Sequence, residues 1–236
     1  MTTPTEIVNL AEIHRGLQVY CQQGAVHELR ALGTGSDSRV ITFGYYDDLD
    51  RMVEDAASLS GEAKLVWFSL NPVNPALLER SPNGLRQFAR SNGDSLTSDA
   101  DIQRRCWLPI DCDPVRPKDV PATNPEEQAA RRQAMVVRDW LGDIGWPQAI
   151  MVASGNGCQL AYSIDLPNDE QSHLLVSRCL DAVAHLFRSP AVTIDTAVHN
   201  ASRMWKVPGT LSRKGNQTPD RPHRLARILE MPDWSR

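Results

Sequence analysis

Between residues 107 and 199 the apolar pattern switches repeatedly between strand and helix periods, and the order of those switches leaves few folds open. Residues 107–113, Trp-Leu-Pro-Ile-Asp-Cys-Asp, read as an apolar strand ending in two carboxylates. A Pro-rich loop then leads to a helix announced by Thr123, Asn124, Pro125 and Glu126, where an N-cap Thr with Glu three residues later forms a capping box. Ala130, Ala134, Val137, Leu141 and Ile144 give this helix one apolar face, and Gly145 closes it. Residues 149–153 and 159–165 read as the arms of a hairpin around Ser154, Gly155, Asn156 and Gly157. A second helix is expected over about 169–188 with Leu175, Cys179, Ala182 and Leu186 on its apolar side, and residues 192–198 read as the last strand.

That order, β, α, β, β, α, β, is the split, ferredoxin-like arrangement. Its first and third strands are antiparallel neighbours, and the fourth lies on the first strand's other side. The end of the first strand, with Asp111 and Asp113, should therefore meet Gln159 at the start of the third and Asp195 at the start of the fourth. Alternate residues of a strand share a face, so Asp111 and Asp113 point the same way. Adjacent carboxylates repel unless something positive lies between them, and a hard divalent cation held by oxygens is the usual remedy. An Asp at a strand end is also an ordinary cap or turn residue, so the weight rests on three such residues converging.

Residues 1–100 read as a mixed α/β lobe. It has a helical pattern over 6–22 weakened by Gly16, strands at 26–32 and 40–45 around a Gly33-Thr34-Gly35-Ser36 turn, a helix over 47–59 and a strand over 65–70 that stops at Asn71-Pro72. The polar stretch 81–99 reads as a loop or a link between lobes. Five cysteines without a Cys-x-x-Cys pair indicate neither a disulfide framework nor a zinc cluster. No segment is apolar enough to span a bilayer, and Thr2, Thr3, Pro4, Thr5 and Glu6 do not open a signal peptide, which makes the cytoplasm the expected compartment. The net charge of -4 argues against a uniformly basic nucleic-acid coat, yet residues 199–236 carry eight Lys or Arg against three acids, a local surplus suited to phosphates. Within it Arg203, Lys206 and Lys214 are candidates for triphosphate oxygens, or plain surface cations. The turn from Ser154 to Gly157 could offer N–H groups to a phosphate, or be only a tight hairpin turn.

Taken in order, Asp111-Cys112-Asp113-Pro114, Ser154-Gly155-Asn156-Gly157-Cys158-Gln159-Leu160, Ile194-Asp195, the run from Arg203 to Thr210 and Arg221-Pro222-His223-Arg224 resemble the catalytic core of the archaeo-eukaryotic primase superfamily, nearest its phage and mobile-element primase-polymerases. The resemblance implies an α+β fold: an N-terminal α/β lobe over 1–100 and a ferredoxin/RRM-like βαββαβ catalytic lobe over 101–236 with a basic C-terminal segment, together one primase-polymerase core. It implies a DNA-templated nucleotidyltransferase that takes nucleoside triphosphates and Mg²⁺ or Mn²⁺, acts on a DNA template or primer, and works with a helicase domain or protein. Asp111, Asp113 and Asp195 match the family's metal carboxylates, and Arg203 and Lys206 its phosphate-binding cations. The family's second motif usually carries a His that contacts the triphosphate. Here that position is Gln159, which can donate a hydrogen bond but cannot become cationic, leaving His223 or Lys214 to compensate. The competing readings are a weakened primase-like module that only binds DNA, or a palm-like nucleotidyl cyclase or metal nuclease built on the same sheet.

Overall fold

The strands expected before residue 100 pair with one another. In a computed structural model of the chain, which describes residues 7–34 and 40–233, β1 (His27–Leu32) lies between β2 (Ile41–Tyr46) and β3 (Leu65–Ser69), antiparallel to both. Gly35 and Ser36 of the expected turn, and residues 2–6, lie outside the described residues. Helices α1 (Leu10–Tyr20) and α2 (Leu49–Leu59) begin at Asn9 and Asp48, whose side chains accept the N–H of Glu12 and Arg51. Each buries one stripe, Ile13, Gly16, Leu17 and Tyr20 on α1, and Met52, Val53, Ala56 and Leu59 on α2. The helical pattern that Gly16 interrupts in the sequence runs unbroken through it as α1. A Cβ there would lie 2.9 Å from Cγ of Pro208, so the glycine is what lets that loop close against the helix.

The stretch 81–99 is not a free link. β4 (Arg86–Gln87) adds to the edge of β2, Arg86 forms an ion pair with Asp94, and the Thr97 N–H donates to the buried Glu28 carboxylate at 3.3 Å. Polar contacts of this kind leave no apolar period to read, which is why the segment resembles a linker in sequence.

The second half builds the expected sheet. β5 (Arg104–Pro114), β6 (Ile150–Ala153), β7 (Cys158–Pro167) and β8 (Val192–Ile194) stand in the order β6-β7-β5-β8, all antiparallel where they pair, and β12 (Arg227–Glu230) extends the sheet beyond β6. α3 (Asn124–Asp143) starts on the anticipated capping box, with the Glu126 N–H on Thr123 Oγ1 at 3.3 Å and the Thr123 N–H on Glu126 Oε2 at 2.8 Å. It ends before Ile144, which stands 54% exposed rather than closing the apolar face.

α4 (Glu170–Leu186) buries Ser172, Val176, Leu180 and Val183, one residue out of phase with the expected stripe, and Leu175 and Leu186 are each 57% exposed. Two apolar stripes run side by side on this helix, and spacing alone does not say which one meets the sheet. The last strand is also shorter than expected: it stops at Ile194, and residues Thr196–His199 form a 3₁₀ turn.

After Asp195 the chain returns to both sheets. β9 (Met204–Lys206) pairs with β3, completing the order β4-β2-β1-β3-β9. β10 (Leu211–Ser212) and β11 (Arg224–Leu225) form a small ribbon before β12. One core lies between α3, α4 and the second sheet and includes Leu108, Ile110, Cys112, Leu160 and Leu180. Another joins the lobes, packing Tyr20, Leu29 and Phe68 with Trp107, Val152, Ala161 and Trp205. Because neighbours alternate along β5, Asp111 and Asp113 fall on the face opposite Cys112, turned toward the first lobe.

Candidate active site

Asp111 and Gln159 are direct partners across β5 and β7. Gln159 Nε2 donates to Asp111 Oδ2 at 3.2 Å, while Asp111 Oδ1 and Gln159 Oε1 are buried without a hydrogen-bond partner. Burial, and after it the charge of Asp113, push the Asp111 carboxyl up to about 8, with Asp195 adding to the rise and Gln159 and Arg203 opposing it. Asp113 is half-exposed, its Oδ1 3.6 Å from the Arg116 guanidinium. Asp195 reaches the same end of the sheet through the backbone, its N–H donating to the Asp111 carbonyl at 2.9 Å. It follows β8 rather than starting it, and its Oδ1 accepts the Ala197 N–H at 2.9 Å.

Gly157 brings the hairpin turn against this end. A Cβ at that position would stand 2.6 Å from the Cys112 carbonyl oxygen and 2.8 Å from Asp113 Oδ1. The turn is closed on itself: the Ser154 N–H donates to the Gly157 carbonyl at 3.0 Å and the Gly157 N–H to Ser154 Oγ at 3.1 Å. Those two donors are spent, so the turn is not an open phosphate cradle built on Ser154 and Gly157. Asn156, which the sequence did not single out, fastens it from behind, accepting the Ala122 N–H at 2.8 Å and donating to Ser212 Oγ at 3.2 Å.

Of the candidate cations, Arg203 stands beside the acids. Its charge acts on Asp111, its Nη2 donates to the Ala197 carbonyl at 2.5 Å, and its Nε is buried without a partner. His223 is engaged with the Gly215 carbonyl at 2.9 Å, within the β10–β11 connection where Lys214 also stands half-buried. The expectation for Lys206 is not met. Its side chain is 3% exposed, and its amine donates to Thr210 Oγ1 at 2.8 Å and the Leu211 carbonyl at 3.2 Å. The motif fits a phosphate ligand, but on β9, at the edge of the first sheet beside β3, the side chain points into the protein toward Thr210 and Leu211.

Burial lowers the Lys206 amine to about 7. From there up to the value in the unfolded chain, about 10.4, the native state binds one proton fewer than the unfolded state, so stability rises with pH across that window. Wild type should therefore gain up to about 1.4 kcal/mol per pH unit relative to Lys206→Met between pH 7 and 9. Urea unfolding of both proteins at three pH values checks this; parallel profiles would place the charge elsewhere.

Among the described residues no three His, Cys, Asp or Glu side chains already converge as a metal cage. The donor chemistry still fits a hard divalent ion: carboxylate oxygens, one of them buried and unpaired, crowded by like charge.

No protein-family model and no curated protein matches the chain. Its structure is similar to the crystal structure of primase RepB′, with a TM-score of 0.54 at 10% identity over 94% of this chain and 56% of that one. It is also similar to the polymerase domain from Mycobacterium tuberculosis ligase D in complex with DNA, with a TM-score of 0.48 at 16% identity over 95% of this chain and 86% of that one. The chain spans a little over half the length of the primase chain it matches. The chain has the α+β fold of that primase, the fold class that the order of its elements implies. Among the described residues no helix is long and apolar enough to cross a membrane.

Proposed function

We propose that this chain is a DNA-templated nucleotidyltransferase that joins nucleoside triphosphates as a primase or polymerase. The observation that carries the reading is the Asp111 carboxylate. It is half-buried on the face turned toward the first lobe, has one buried and unpaired oxygen, and is flanked by Asp113 and Asp195 on a primase-type fold. A buried acid crowded by other acids destabilises the free protein, and binding a cation offsets that cost.

Asp111, Asp113 and Asp195 would hold Mg²⁺ or Mn²⁺. When bound, such ions activate the attacking hydroxyl and neutralise charge on the departing pyrophosphate. The chain's own residues do the rest. Gln159 orients Asp111 through the hydrogen bond that its side-chain amide donates to Oδ2. Arg203, held by the Ala197 carbonyl, presents a guanidinium next to the acids, where it would pair with triphosphate oxygens. Basic residues after Asp195 other than Arg203 and the buried Lys206 would follow a DNA backbone, and a helicase domain or protein is the partner this activity would serve.

The test is incubation with a labelled triphosphate and a primer-template, with and without Mn²⁺. Template-dependent, divalent-dependent extension is expected. Cyclic product or strand cleavage would reassign the same sheet to a cyclase or nuclease. DNA binding without any incorporation would make the chain a binding module, the reading that Gln159, replacing the family's His, favours.

A further inference from the structure

We infer that Asn71, in the first lobe, is a positioning residue for the loop that carries Asp195 and Arg203, an inference that rests on the function proposed above. Asn71 directly follows Leu70 past the end of β3 and is 3% exposed. Its Oδ1 accepts the Cys106 N–H at 2.8 Å, near the start of β5, and its Nδ2 donates to the Ala201 carbonyl at 2.9 Å. One amide thus joins the first lobe, the strand bearing Asp111 and the loop following β8.

The loop is tied down at closely spaced points from outside itself. The Arg105 guanidinium donates to the His199 carbonyl at 2.7 Å, and Asp99 Oδ1 accepts both the N–H and the hydroxyl of Ser202, at 2.8 and 2.7 Å. The Leu70 N–H donates to the Arg203 carbonyl at 2.9 Å. Asp195 enters this segment and Arg203 leaves it, so these anchors set where both stand relative to Asp111. The Asn71 and Asp99 anchors are not equivalent. Asp99 is exposed, and water can replace its bonds at little cost. Asn71 is buried, so a lost partner there leaves an unsatisfied group.

Asn71→Asp separates the two arms. The introduced carboxylate keeps an acceptor for the Cys106 N–H but sets an oxygen against the Ala201 carbonyl. Two readouts are taken on the full chain: primer extension kinetics, and backbone hydrogen exchange. The variant should lose at least tenfold in kcat/KM, with the fall mainly in kcat. The amides of residues 196–203 should exchange at least tenfold faster while those of α3 and α4 keep their wild-type rates.

Wild-type extension together with wild-type exchange in the loop overturns the inference. So does faster loop exchange with unchanged extension, which leaves the proposed function standing. A wild type that extends nothing removes the proposed function, and this inference with it. Should the variant not fold, the wild-type Asn71 side-chain amide decides. Slow exchange of its protons, seen by NMR, supports the bond to Ala201, and exchange as fast as an exposed Asn overturns it.

Discussion

Asp111→Asn is expected to reduce divalent-dependent nucleotide incorporation by about a thousandfold or more, the scale of several kcal/mol of lost transition-state stabilisation. The same protein, free of metal, should be at least as stable as wild type. The substitution keeps the shape, puts a neutral amide where burial, Asp113 and Asp195 disfavour the ionised carboxylate, and leaves an acceptor for Gln159 Nε2. Its new N–H₂ can also reach toward Gln159 Oε1, which lacks a partner in the wild type. One added hydrogen bond is worth about 1 kcal/mol, or a rise of roughly 2–4 °C in Tm for a chain of this size. Mn²⁺ should raise the Tm of wild type and leave that of the variant unmoved, because only a ligand of the native state stabilises it. Scanning calorimetry with EDTA and with Mn²⁺ reads both effects. Full activity would refute the role of Asp111 in catalysis, and a lower metal-free Tm would refute the account of its strain.

Gly157→Ala should have the next largest effect, a loss of about a hundredfold in incorporation, the usual cost of displacing a reacting group by about 1 Å. The added methyl would meet the Cys112 carbonyl oxygen at 2.6 Å and Asp113 Oδ1 at 2.8 Å. One is backbone in the middle of a sheet and cannot give way, so the turn must lift or Asp113 must swing out. Either movement disturbs the acidic end without touching Asp111. Steady-state kinetics should show the loss in kcat, and a crystal structure of the variant should show Asp113 displaced. Unaltered kinetics would mean that the position of Asp113 is not critical.

Where the sequence was legible, local rules and long-range topology agreed. The capping box at Thr123, the short hairpin turn after Ala153 and the alternation through Asp111 and Asp113 are local signals, and strand order follows from them because few arrangements accommodate that series of elements. Three features were not legible, each for its own reason. The buried side of α4 was ambiguous because two adjacent stripes, one through Leu175 and one through Val176, are both apolar. Lys206 reads as a phosphate ligand from its neighbours, and only the pairing of β9 with β3 shows that it is interior. Asn71 and Asn156 act through hydrogen bonds to residues far away in the chain, Ala201 and Cys106 for one and Ala122 and Ser212 for the other, and no spacing rule announces such bonds.

The last forty residues supply β9 to one sheet and β12 to the other, and this stitching has a consequence for anyone who would divide the molecule. Cutting near residue 100 strips the β3 edge of its cover and bares a short apolar strand that readily recruits other chains. Residues 1–100 expressed alone should therefore elute from a sizing column as oligomers, and adding the remainder in trans should dissolve them. A monomeric fragment would show that the seam is dispensable. If it is not, the halves cannot drift apart as free bodies, and on the proposed function template and nucleotide would have to reach the acids with the spacing of the two sheets already set.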